Sequence, residues 1–125
     1  MAAARDAVAV TVAAEVTRAY LDACSYAYSL DVARQSAAIA DDSLRLVSLR
    51  ERAGAAGRFD VERAGTVAAN ARAAIPAFEG ARQVALFELA ALLGLTPGEI
   101  PAAAQTCTRP PEPVAEIPVG DGSAL

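Results

Sequence analysis

Between Arg52 and Val61 the chain interrupts two long alanine-rich helical patterns with a stretch that holds Gly54 and Gly57. Neither glycine nor proline occurs before Gly54, so nothing in the first arm stops a helix. The second arm runs on to Leu93, where Gly94 can end it. Two long helices joined by a short reversal form an antiparallel helical hairpin. At a rise of about 1.5 Å per residue, arms from about Ala4 to Arg52 and from Arg58 to Leu93 extend roughly 70 Å and 50 Å. Such arms do not fold into a ball of this chain length. The sequence therefore predicts an elongated all-α hairpin, coiled-coil-like, whose helices lean on something else.

Composition sharpens that picture. Hydrophobic residues make up 54% of the 125, yet there are only three Phe, three Tyr and no Trp. Alanine supplies much of the rest. It buries little area per residue but lets helices approach closely along a seam. In the first arm Val16, Tyr20, Ala23, Ala27, Leu30, Ala37, Ala40, Leu44 and Val47 recur near helical spacing, flanked by Val12, Ala19, Tyr26, Ala33 and Ile39. In the second, Val61, Ala64, Ala68, Ala71, Ile75, Phe78, Val84, Phe87 and Leu92 are read as the apolar face, with Pro76 expected to bend it. Asp31 with Arg34, and Asp41 with Arg45, are spaced for contact on one helix face. Thr96-Pro97-Gly98-Glu99 has the form of a capping box that can start only a short turn, because Pro101 follows. From Ala102 onward the residues are rich in Pro, Ala and Glu and are expected to be extended and irregular. The chain thus divides into a hairpin over 1–94, with its tip near 53–60, and a tail over 95–125.

Several function classes fall away. The net charge is −4 and all eleven basic residues are Arg, with no clustered basic face of the kind nucleic-acid binding requires. There is no His, the residue most used for acid–base work and for metal binding. Asp41 and Asp42 are adjacent and diverge on a helix, and Glu62 has no visible nucleophile to serve. No catalytic residue, cofactor or metal site is expected. Uncharged apolar runs all fall short of the roughly eighteen residues a spanning helix needs. Residues 1–16 imitate an export signal only in outline, since Asp6 follows Arg5 and Glu15 breaks the pattern. They read as the first turns of the first helix.

Cys24 lies in the first arm and Cys107 in the tail. In a reducing compartment they would be free thiols; in an oxidising one they could pair. The second arm returns beside the first, so Gly94 lands near the level of Tyr20 and the tail could carry Cys107 to Cys24. Geometry decides between these. Two Cys alone do not make a structural metal site.

Four stretches resemble a known family: Val12–Leu21 (VAAEVTRAYL), the turn Ala53–Val61 (AGAAGRFDV), Leu89–Gly98 (LAALLGLTPG) and Ile117–Gly122 (IPVGDG). In order and spacing they look like part of a TolC-like outer-membrane efflux protein of the branch that works with resistance–nodulation–division pumps. Such proteins hold two repeats, each with strands and helices, and their trimers continue an outer-membrane β-barrel as a periplasmic helical tunnel. The resemblance implies that this chain is a fragment of the first repeat, without the barrel strands through which such a protein touches the membrane, and that 95–125 includes the inter-repeat linker. It implies residence in the outer membrane with this segment in the periplasm. It also implies homotrimer formation, partnership with a periplasmic adaptor and an inner-membrane pump, and passive export of small molecules. The family's tip reads Val-Gly-Leu-(Ser/Thr), three residues, then Asp. Gly54 and Asp60 match it, whereas Ala53, Ala55 and Ala56 depart, and the lost hydroxyl removes an N-cap worth about 1 kcal/mol. By position the resemblance assigns adaptor docking to Gly54, Ala55, Ala56, Gly57 and Asp60. A well-terminated turn explains the two glycines and Asp60 equally. The alternative function is an adaptor-type or scaffold hairpin whose tip binds a periplasmic partner.

Overall fold

In a computed structural model, residues 2–112 are described. Helix α1 runs Ala2–Arg52, α2 Arg58–Leu92 and the short α3 Ala102–Gln105. The first two lie antiparallel along a shared seam, and among the described residues there is no strand. The fold is an all-α hairpin, as its sequence pattern predicts. The part of the expected tail and linker over 113–125 lies outside the described residues. Helix α1 starts two residues earlier than its sequence suggests and α2 stops at Leu92, one residue short.

Both long helices end in the same way. At the end of α1, Gly54 takes φ 74°, the Gly54 amide donates to the Glu51 carbonyl at 2.9 Å and the Ala55 amide to the Arg50 carbonyl at 2.8 Å. At the end of α2, Gly94 takes φ 69°, with Gly94 to Ala91 at 3.1 Å and Leu95 to Ala90 at 2.9 Å. These are paired 5→2 and 6→1 caps around a left-handed glycine, which satisfy carbonyls that a helix end leaves open. Arg50 and Arg52 in the last turn of α1 further suit its dipole.

The seam is made of small residues. Ala19, Ala23, Ala33, Ala37, Ala68, Ala85 and Ala90 are buried, with Leu30, Leu86 and Leu89. The main core sits at the end of the hairpin away from the turn: Ala19, Ala23, Ala85, Leu86, Leu89 and Ala90 close on Ile100 and Ala104, with Tyr20, Leu92 and Leu95 at its edge. Beyond Pro76 the buried face of α2 is therefore Ala85, Leu86, Leu89 and Ala90. Val84 and Phe87, expected to face inward, are 65% and 44% exposed. Apolar residues surround this part of α2, so periodicity alone could not choose the face. Pro76 is exposed and α2 continues through it. Proline removes a backbone donor, and on an exposed face water can take the bond.

Two charge pairs cross the seam rather than running along one helix. Arg34 donates to Glu79 at 2.7 Å, and the Arg72 guanidinium grips both carboxylate oxygens of Asp41. The expected Asp31–Arg34 and Asp41–Arg45 pairs do not form. Asp31 instead accepts from Gln35 at 2.8 Å and Arg45 reaches Asp42 at 3.4 Å. A second helix alongside offers partners that a lone helix cannot. The two crossing pairs lie one heptad apart on both helices, and the midpoint of each falls between Ala56 and Gly57. One register thus holds from mid-hairpin to the turn.

The tail departs from its expected irregular course. Pro101 caps one helical turn at Ala102–Gln105, and Ile100 and Ala104 are buried against the hairpin. Burial of these two side chains rewards a turn whose sequence alone predicts none. Ahead of it, the Thr96 amide and hydroxyl donate to the Glu99 carboxylate at 3.0 and 2.8 Å. These bonds hold the Glu99 carboxyl below its ordinary value of 4.5. A disulfide joins Cys24 to Cys107, with Cα atoms 5.2 Å apart. Cys24 is fully buried and is part of the core rather than an appendage to it.

Candidate functional site

The turn at 53–57 is built from backbone. After the glycine cap of α1, Gly57 serves as N-cap of α2 in extended conformation (φ −89°, ψ 159°). Having no side chain, it cannot bond the free amides of the first turn. Asp60, three residues on, supplies the other half of the arrangement: its Oδ2 accepts from the Gly57 amide at 3.0 Å. A carboxylate in the first turn also suits the positive end of the helix dipole. Asp60 therefore ties the start of α2 to the turn through the Gly57 amide, while no N-cap side chain bonds the amides of the first turn.

The five residues singled out in sequence are brought together. Gly54, Ala55, Gly57 and Asp60 are exposed and Ala56 half-buried. Ala55, Ala56 and Asp60 form the end wall of a groove of about 810 Å³ that runs back between the helices. Its floor includes Ile39, Val47 and Val67, and its rim carries Arg50 and Arg63. By the register of the crossing pairs, those two arginines stand level with one another. Among the described residues neither has a carboxylate within ion-pair distance.

The tip also carries a residue that the motif comparison passes over. Phe59 is 78% exposed. Local sequence carries no signal for it, since nothing in the residue pattern says what fails to cover the ring.

At the opposite end the chemistry is closed. The disulfide, Ile100 and Ala104 seal the arms where α2 ends. Beyond that seal α1 continues alone among the described residues, and residues 3–14 are exposed, with Val8 and Val10 at 63% and 70%. Among the described residues no cluster of His, Cys, Asp or Glu could hold a metal, and no described helix is long and apolar enough to cross a membrane.

The described hairpin thus has a sealed base, a small-residue seam and a contoured, solvent-facing tip. A family model described as Outer membrane efflux protein matches residues 1–95. The chain belongs to that family. The match spans the whole outer-membrane efflux hairpin, both helices and both glycine caps, and stops before the Thr96 turn and Cys107. No curated protein and no solved structure matches the chain. Membership makes it a TolC-like channel-family protein concerned with efflux at the outer membrane, and the coiled-coil hairpin is the form in which its helices are built.

Proposed function

We propose that this hairpin forms part of the periplasmic tunnel wall of a trimeric outer-membrane efflux channel, and that its tip docks on a periplasmic adaptor linked to an inner-membrane pump. The channel conducts drugs or other small molecules passively and opens by rearrangement of the tips. No catalytic chemistry is involved. The observation that carries this reading is the asymmetry of the hairpin. Its base is sealed by core and disulfide, while the tip presents an open groove and a solvent-held Phe59. Such surfaces persist where a partner covers them. The family match supports the channel over an adaptor-type or scaffold hairpin. On this reading the segment lies in the periplasm, an oxidising compartment in which a disulfide persists.

The test compares export with trimer abundance in the same cells. Asp60→Arg reverses charge at the tip and removes the carboxylate that holds Gly57, and Phe59→Ser removes the exposed ring. Each is expected to lower drug export several-fold while leaving trimers at normal abundance, because the tip is remote from the alanine seam. Normal export in the double variant excludes a docking role for the tip. Export that falls only in proportion to trimer reduces these residues to a folding turn.

A further inference from the structure

Under the disulfide lies a second cavity, of about 450 Å³, at the junction of α1, α2 and the tail. Three arginines line it, from three parts of the chain: Arg34 on α1, Arg82 on α2 and Arg109 on the tail. Their circumstances differ. Arg34 is neutralised by Glu79 at 2.7 Å. Arg82 donates through Nη2 to the Gln105 carbonyl at 2.5 Å, but its Nε is buried without any acceptor. Arg109 lies over the ring of Tyr28, 5.3 Å from its centroid. Among the described residues no carboxylate pairs with Arg82 or Arg109. One acid, Asp31, lines the same cavity and accepts from Gln35. With Arg34 cancelled by Glu79, two positive groups face one negative group.

A buried guanidinium N–H without an acceptor costs free energy, more than a neutral donor would. Planar guanidinium groups present paired donors that match the oxygens of a carboxylate or phosphate. The packing of Arg109 on Tyr28 restrains its side chain before any ligand arrives. We propose that this cavity binds an oxyanion, a carboxylate or phosphate group seated between Arg82 and Arg109. The disulfide builds the site, because it holds Cys107, and with it Arg109, against α1. Asp31 restricts the occupant to a small charge by repelling a second negative group. The site is independent of the tip and of the channel reading, and Arg109 lies outside the stretch that the efflux family model matches.

The experiment follows arginine Nε–Hε signals by NMR in the oxidised protein. Sodium phosphate or sodium acetate is added at constant ionic strength, with sodium chloride as control. The expected result is a saturable shift of Arg82 and Arg109, with Arg45 unmoved. Response to phosphate alone identifies a phosphate site, response to acetate alone a carboxylate site, and response to both their shared chemistry. Arg109→Met should weaken binding by about tenfold or more, in line with loss of a charged hydrogen bond. Asp31→Asn should strengthen it several-fold. The Cys24→Ser/Cys107→Ser double variant should lose binding while helical circular dichroism is retained. Equal, non-saturating shifts at every arginine would overturn the proposal, as would unchanged affinity in a folded Arg109→Met protein. Arg109 is exposed, so that variant does not disturb the core.

Discussion

At the scale of single residues, the turn depends on backbone freedom at one position. Gly54 sits at φ 74°, and a Cβ added there would meet nothing within 4 Å. The penalty for replacing it is therefore conformational, not steric crowding by neighbours. Gly54→Ala should cost about 1–2 kcal/mol, and Gly54→Val should cost more because its branched side chain is stiffer. Thermal unfolding of the two variants checks both the size and the order. Gly54 and Asp60 were readable from sequence, because a glycine at a helix end and an acid in the next first turn have local causes. Phe59 was not, because its importance lies in what fails to cover it, and local sequence does not encode that. Glu99 gives a pH-dependent counterpart. Its folded-state value is lowered by the Thr96 amide and hydroxyl, so its contribution is complete above the ordinary 4.5 and is lost as pH falls through the lower folded value. The Thr96 amide signal should follow that titration, with a midpoint below 4.5.

At the scale of elements, contact between α1 and α2 rests on alanine. Ala68 is fully buried on the stretch of α2 that runs toward the turn. Ala68→Leu should force the helices apart locally and cost about 1–3 kcal/mol. Ala69→Leu, one position round on an exposed face, should be within about 0.5 kcal/mol of wild type. Denaturant melts of the pair separate seam from surface. The two crossing ion pairs contribute less, since exposed pairs give about 0.2–1 kcal/mol and weaken with salt. Their value is register: Arg34–Glu79 and Asp41–Arg72 reject a slide by one helical turn. The existence and lengths of both helices were legible in the spacing of Gly and Pro. The inward face of α2 beyond Pro76 was not, because Val84 and Phe87 are as apolar as Leu86 and Leu89. Only the arrival of Ile100 and Ala104 on one side decides the question. The crossing charge pairs are likewise invisible in sequence, because i,i+3 and i,i+4 spacing describes one helix and these partners lie on two.

At the scale of the whole molecule, the disulfide closes a loop between residues 83 apart in sequence. In the chain-entropy account, closing so long a loop stabilises the fold by about 4 kcal/mol. Reduction should lower the unfolding midpoint accordingly and deprotect the amides of Ala104 and Gln105 first, because α3 is the shortest helix and lies only two residues from Cys107. Hydrogen exchange under oxidising and reducing conditions measures both effects. That bond also gives the hairpin a mechanical character. The arms are clamped at one end and joined at the other only by five residues of turn, Ala53–Gly57, so the whole behaves as a long fork gripped by its handle. A small change of angle at the grip becomes a large sideways travel at the prongs, in proportion to the lever arm of roughly 50 Å that α2 provides. A dithiol reductant that opens the Cys24–Cys107 bond is thus expected to loosen a tip that it never touches.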